Sequence, residues 1–390
     1  MRQIIRAQRV RFSLLVAISA LFLLIFAGCG QAQGVEPIPS ETVEIAIQTE
    51  VANQLASSTE DVIEEPAPTN TALPEPTLVS TDAPALEELV EIEPTWYVMN
   101  DSLGEIDAIG FARVKTIPAI LYASPEDAVA KTNKKRTLPG DEVYVSYLST
   151  EKVGRTMVYE VDSGSWMAAD QLEEIQPSAF GGIQILGVPE SDFGWVVEPG
   201  FSFLFSAEAP NQKQSGHFYR RYKFLLVDSV LVDEDGLNWY QIGENEWISD
   251  EHFSFVRLRT ESPAQVYSRR WIDVDLTEQN LVVYTEGKPV FATLISTGLE
   301  QGWTAAGVFT IYNQTEVYDL YSPDPQVIGN YYLEDVPWIL FYESSWAIHG
   351  AYWHDSFGLP NSHGCVNMSM TDAGWLYNWA QPSDYVFLFW

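Results

Sequence analysis

Positive charge is scarce in this chain. Only 21 Lys and Arg stand against 54 Asp and Glu, a net charge of -33. No Lys or Arg occurs from Phe12 to Ala112, and none after Lys288. A polyphosphate partner wants a basic face, so no nucleic-acid partner is expected. The folded part is equally unsuited to docking on an anionic membrane, and its acidity reads as solvation. Cysteine is nearly absent: Cys29 and Cys365 allow at most one disulfide, which excludes a disulfide scaffold. The uncharged run Phe12 to Phe26 has fifteen residues, short of the roughly 20 that a spanning helix needs. Apolar and aromatic residues are plentiful: 46% of the chain is hydrophobic, with 13 Trp, 19 Tyr and 19 Phe. The 390 residues give room for two or three domains. Aromatic enrichment with modest charge leans towards β structure.

The N-terminus reads as an export signal over residues 1–28. Arg2, Arg6, Arg9 and Arg11 precede the apolar run, which ends in Phe26-Ala27-Gly28-Cys29. Small residues before a cysteine resemble the lipobox of bacterial lipoproteins, with Phe26 where that pattern usually has Leu. The resemblance implies diacylation of Cys29, and two acyl chains suffice for stable membrane attachment. A plain secretory signal or an uncleaved anchor is the alternative. Residues 29–94 then form a linker. Glu41, Glu44, Glu50, Glu60, Asp61, Glu64 and Glu65 carry one sign of charge, and Pro66, Pro68, Pro74, Pro76 and Pro84 interrupt a Thr/Ala/Glu background. Such a segment buries too little apolar surface to offset chain entropy and is expected to be disordered and extended. Its role would be reach from the membrane.

Folding is expected from about Trp96. Short β-rich runs such as Val143 to Leu148, Leu225 to Val227 and Val230 to Val232 alternate with turn residues. They contain an internal repeat. At a shift of 81 residues Tyr159 falls on Tyr240, Val161 on Ile242, Trp166 on Trp247, Asp170 on Glu251 and Leu172 on Phe253. Two copies of one small β module are therefore expected, over residues 95–177 and 178–263. The Tyr-hairpin-Trp pattern resembles bacterial SH3-like domains, which accompany cell-wall enzymes. That resemblance leaves open a wall-binding role or a spacer.

Residues 264–390 carry the chemistry. Asp273 to Leu276 and Leu281 to Tyr284 read as strands paired across Thr277 to Asn280. Further strands are expected at Val290 to Ile295 and Phe309 to Ile311. A helix is expected over Thr371 to Ala380, capped by Thr371, with Pro382 beyond it and Ala373, Leu376, Tyr377 and Ala380 on one face. Three of the five histidines, His349, His354 and His363, fall within seventeen residues of Cys365. A single exported cysteine near histidines is a candidate nucleophile. A thiol with a pKa of about 8.5 is only a few per cent thiolate at neutral pH. A histidine within hydrogen-bond reach can take its proton, and Gly364 permits close backbone approach to a substrate. The N–H groups of Gly364 and Cys365 would meet a developing oxyanion. An inert buried thiol and a zinc site of His349, His363 and Cys365 are the other readings. No C-x-x-C or H-x-x-x-H pair supports zinc, so neither a metal nor another cofactor is expected.

The segment Ile348-His349-Gly350 … Ser362-His363-Gly364-Cys365-Val366-Asn367 resembles the signature of YkuD-type L,D-transpeptidases. Ser296-Thr297-Gly298, Thr304-Ala305-Ala306-Gly307-Val308-Phe309 and Val336-Pro337-Trp338 agree with it, although Ala305 replaces a proline and Asn367 stands where many members have arginine. The resemblance implies a mainly β chain: a β-sandwich-like catalytic domain with one short helix, preceded by the two SH3-like modules and the linker. It implies that Cys365 attacks a peptidoglycan stem tetrapeptide and that D-alanine leaves. An amine of a second stem then takes the acyl group from the thioester. His349 would be the general base and Gly364 an oxyanion donor. Ser362, His363, Asn367, Gly350, Tyr352 and Trp353 would bind substrate or shape the loop. His354 reads as a loop residue. With no cation after Lys288, substrate carboxylates would meet backbone N–H groups, Asn, Ser, Trp, Tyr, Arg269 or Arg270. The partners expected are stem peptides and, through lipidated Cys29, a membrane; the chain is expected to be monomeric and extracytoplasmic, facing the wall. An L,D-carboxypeptidase, a protein-to-wall attaching enzyme and a non-catalytic wall-binding lipoprotein remain as alternatives. If neutral His349 must take the thiol proton, activity is expected to fall below roughly pH 6 to 7.

Overall fold

A computed structural model describes residues 96–101, 110–198, 203–211, 213–322 and 330–390. The export signal, Cys29 and the linker of residues 29–94 lie outside the described residues. The fold is mainly β. Among the described residues, α-helix is confined to Pro125–Ala130 and Met370–Trp379, and no helix is long and apolar enough to cross a membrane.

Residues 264–390 are built on two sheets. The first runs in the order Tyr97–Met99, Ile183–Ile185, Lys288–Leu294, Asn280–Thr285, Trp271–Asp275, Tyr385–Phe389, Gly307–Thr310. The second contains Val366–Met368, Trp346–Gly350 and Tyr331–Glu343, which also pairs with Asn313–Tyr321. Strand periodicity sends alternate residues to opposite faces. Ile272, Val274, Leu281 and Val283 of the first sheet therefore meet Leu340, Ile348, Val366 and Met368 of the second in one core. The helix adds Ala373, Leu376 and Ala380 to that core. It starts one residue earlier than its sequence suggests, and its cap lies two residues earlier. Ser369, in extended backbone, accepts from Asp372 N at 3.2 Å, so Ser369 rather than Thr371 is the N-cap.

The other face of the first sheet is also dry. Trp271, Val282, Tyr284 and Leu294 pack there against Phe193, Trp195 and Val197. This explains why Leu281-Val282-Val283-Tyr284 is apolar throughout instead of alternating. Two carboxylates in the adjoining strand are buried with it and carry arginine partners. Asp273 takes Arg259 Nε at 2.6 Å, and Asp275 takes Arg257 Nη1 at 3.5 Å.

The repeat of 81 residues is a repeat of strand order. Leu172–Ile175, Gly110–Val114 and Glu142–Tyr147 lie side by side, as do Phe253–Val256, Asp192–Val196 and Phe224–Val227. The five remaining strands of each copy also follow one order. The register agrees residue for residue: Tyr159 faces Met167 and Glu160 faces Trp166, while Tyr240 faces Ile248 and Gln241 faces Trp247. The copies attach differently. Glu142 to Tyr144 of the first pair in parallel with Tyr331 to Leu333, so its sheet continues the second catalytic sheet edge to edge. The second copy packs its three-stranded sheet on the face of the first catalytic sheet. Strands of residues 95–263 are thus shared with sheets of residues 264–390.

Asp372 joins these parts at the start of the helix. It accepts from Asn100 Nδ2 at 2.8 Å, from Gly182 N at 3.0 Å and from Thr293 Oγ1. Burial raises its pKa to about 6. Asp372→Ala would leave the Gly182 N–H buried without an acceptor, at roughly 1–3 kcal/mol, and Asn100 Nδ2 with only Thr371 O at 3.4 Å. We expect a loss of about 3 kcal/mol in urea unfolding; an unchanged midpoint would show that the strand Tyr97–Met99 is held by other contacts.

Candidate active site

The loop that carries the cysteine is fixed by two short segments distant from it in sequence. Ser362 N and Asn361 N donate to Thr297 O, each at 2.9 Å, and Leu299 N donates to Ser362 O at 2.8 Å. Asn367 and Ser296 exchange backbone hydrogen bonds at 2.8 and 2.9 Å. Thr304 Oγ1 accepts from Gly298 N at 2.8 Å and donates to Gly364 O at 2.7 Å. The Ser296-Thr297-Gly298 and Thr304 segments are therefore the cradle of the Ser362-to-Asn367 loop. Gly364 is required there. Its φ is +139°, and a Cβ would stand 2.8 Å from Trp303 O and 3.0 Å from Trp346 Nε1.

Strand Trp346–Gly350 lies parallel to Val366–Met368, with His349 opposite Asn367. This pairing brings His349 and Cys365 to one cleft of about 810 Å³, also lined by Trp303, Trp353, His363 and Asn367. His349 is buried, and its Nδ1–H donates to Gly350 O at 3.0 Å. A carbonyl can only accept, so the proton sits on Nδ1 and Nε2 carries the lone pair. Burial lowers the His349 pKa to about 4, partly offset by the Gly350 bond. Burial likewise pushes the Cys365 thiol up to about 11, against the opposing effect of the Ala347 N–H. Both groups are neutral at rest. The thiol makes its contact with Ser345 O at 3.9 Å. No imidazolium–thiolate pair is preformed, and the thiol is even less ionised than an ordinary cysteine.

The other expected site residues divide into two groups. His363 lies in the cleft with its ring between Trp303 at 5.6 Å and Tyr331 at 4.8 Å. Ser362 Oγ donates to Cys365 O at 2.6 Å and accepts from Gly364 N at 3.0 Å. The Gly364 N–H is thereby occupied, a correction to its expected role as an oxyanion donor; its contribution is the shape of the turn. Gly350 supplies the carbonyl that sets the His349 tautomer. Trp353 lines the cleft 5.8 Å from the His349 ring. Tyr352 does not reach it. The residue is buried, stacks on Phe111 at 4.0 Å and donates to Glu334 O at 2.5 Å. It is a core residue that packs edge-on against Trp353, with ring centroids 5.1 Å apart. Arg269 and Arg270 are also elsewhere: Arg270 pairs with Asp384 at 2.9 Å over the Trp379 ring, and Arg269 faces Glu286. No Lys or Arg lines the cleft. Trp303 and Tyr331 were missed by sequence reasoning, because nothing local in sequence ties either to His363. Among the described residues no group of three His, Cys, Asp or Glu is placed to hold a metal.

No curated protein matches this chain. Among solved structures it is similar to a mutant L,D-transpeptidase of Enterococcus faecium, with 25% identity, 31% of this chain and 50% of that chain covered, and a TM-score of 0.29. An L,D-transpeptidase from Stackebrandtia nassauensis has 27% identity, covers 32% of this chain and 57% of that chain, and has a TM-score of 0.26. The catalytic domain of the Enterococcus faecium enzyme acylated by ertapenem has 26% identity, covers 31% of this chain and 97% of that domain, and has a TM-score of 0.28. The chain thus spans about half the length of the first two. Residues 269–388, which hold every cleft residue named above, match the YkuD family, the L,D-transpeptidase catalytic domain.

Proposed function

We propose that this chain is a cell-envelope L,D-transpeptidase that forms peptidoglycan crosslinks through a thioester on Cys365. The observation that carries the reading is the meeting of Cys365 with a buried His349 whose Nε2 lone pair is fixed by the Nδ1–H bond to Gly350 O. In the first half-reaction the thiol proton passes to His349 Nε2 as sulfur bonds to the carbonyl carbon of stem residue three. The C–N bond to D-alanine then breaks, and the leaving amine takes the proton from His349. In the second, an amine of another stem gives a proton to His349 and attacks the thioester, releasing the thiol. With the Gly364 N–H held by Ser362, the oxyanion donor at this turn is the N–H of Cys365 itself. The cation-free cleft suits recognition of stem carboxylates by neutral donors. Lipidation of Cys29, a tethering linker and SH3-like wall contact by the two repeats complete the proposal and would place the enzyme outside the cytoplasm.

The test is intact-protein mass of the full chain after incubation with a disaccharide-tetrapeptide, and separately with ertapenem, beside Cys365→Ser. We expect an adduct on the wild type alone and crosslinked dimer among the products. Tripeptide without dimer would move the assignment to a carboxypeptidase. A folded chain with no adduct would leave the wall-binding reading.

A pH profile separates the structure from the sequence expectation. The base acts only when neutral, and burial lowers the pKa of His349 to about 4. Lowering a base's pKa moves the acid limb down, so acylation should stay flat from pH 7 to pH 5 and fall only near pH 4. A limb at roughly pH 6.5 would show that water reaches the ring. His349→Ala should slow acylation by about 10²-fold or more, measured by stopped-flow with ertapenem.

A further inference from the structure

Of the twelve residues between His349 and Ser362, Trp353, His354 and Asn361 line the cleft, and the second repeat holds this segment. Asp355 is the point of attachment. Its carboxylate accepts from Tyr222 Oη at 2.9 Å, from Arg221 Nη2 and from Ser178 Oγ. Arg221 also donates to the Asp355 carbonyl. Tyr222 Oη in turn accepts from Phe357 N at 3.2 Å, so one hydroxyl bridges both sides of the loop. Further along, a Cβ on Gly358 would stand 2.2 Å from Val197 Cγ1, which leaves the loop no slack against the repeat.

Arg221 and Tyr222 are not demanded by the module's own fold. The first repeat places Gly140 and Asp141 at the equivalent positions, 81 residues earlier. Tyr222 moreover adopts a φ of +68°, a left-handed conformation that bulky residues avoid. Such an outlier persists where surrounding contacts hold it, and here those contacts are the active-site loop.

The loop passes this constraint to the site through His354. Ser356 N–H donates to His354 Nδ1 at 3.2 Å, so Nδ1 carries the lone pair. A neutral imidazole then has its proton on Nε2, which lies 3.0 Å from Asn367 Nδ2, so an N–H would face an NH₂ unless the amide is turned over. An N–H facing an amide requires the amide oxygen, so the Asn367 oxygen turns to His354. The other end of that buried amide has no partner among the described residues, and it becomes an NH₂ donor two residues from Cys365.

We propose that the second repeat is a working part of the active site: Arg221 and Tyr222 fix Asp355, the fixed loop presents His354 as an Nε2–H donor, and that donor sets the Asn367 amide beside Cys365. His354 is then a positioning residue. Its effect on acylation rests on the transpeptidase reading, whereas the hydrogen-bond relay does not.

The test uses the full chain with two readouts. In ertapenem acylation, Tyr222→Phe and His354→Ala should each slow the reaction about 5- to 10-fold, the worth of one hydrogen bond. His354→Gln, which keeps an N–H at the position of Nε2, should restore most of the rate. Tyr222→Phe with His354→Ala should be no slower than His354→Ala alone, because both act through one relay. The phenylalanine preserves the ring contact with Phe180 at 4.7 Å, so its loss would not be one of folding. Wild-type rates in Tyr222→Phe, or losses that multiply in the double variant, would overturn the proposal. Long-range ¹H–¹⁵N spectra should show His354 as the Nε2–H tautomer, and the Nδ1–H tautomer would overturn it too. A wild type with the expected tautomer that ertapenem fails to acylate would support the relay and reject the transpeptidase reading.

Discussion

The structure depends on a sheet that is dry on both faces. Ile272, Val274, Leu281 and Val283 supply one core, while Trp271, Val282 and Tyr284 supply another. A sheet of this kind cannot stand alone, because each face would present apolar side chains to water. The catalytic sheet and helix cover the first face. The second face needs an added layer, and the second repeat provides it through Phe193, Trp195 and Val197. From that seat its turn at Arg221 and Tyr222 reaches the loop at Asp355. Contact between a repeat and the cleft rim thus follows from how the central strands are covered.

The same dryness sets the chemistry. Burial penalises charge on both the thiol and the imidazole, in opposite pKa directions. Both shifts favour the neutral pair at rest. What the chain supplies instead of charge is orientation: a fixed tautomer at His349, a turn at Gly364 that only glycine accepts, and an amide at Asn367 held from one side. With no Lys or Arg among the described residues that line the cleft, the donors it offers are neutral, and their value depends on being prealigned.

Legibility in the sequence followed distance along the chain. The Ser362-to-Asn367 signature, the paired strands at 271–285 and the helix could be read because each is specified by neighbours within a few residues. The repeat could be read because two copies state the same Tyr and Trp spacing. Tyr352 was misplaced because position next to Trp353 says nothing about which side of the chain faces the cleft. The Gly364 N–H was misassigned because Ser362 Oγ reaches back to it, a choice that geometry and not composition decides. The partners of Asp355 lie 133, 134 and 177 residues away, and no local pattern could announce them.

Duplication explains how a small β module comes to serve two ends. Strand order and register are common to both copies, so the interior of the module is satisfied by the shared Tyr and Trp positions. The turn that contacts the active-site loop lies outside that interior and was free to diverge. One copy has Gly140 and Asp141 at these positions; the other has Arg221 and Tyr222, with Tyr222 held at a φ of +68°. Only the second copy has the active-site loop as a neighbour that can reward a tyrosine there. Edge pairing with Tyr331 to Leu333 gives the first copy a main-chain attachment that needs no special side chains. Face packing gives the second a side-chain attachment, and such an attachment can reach a catalytic loop.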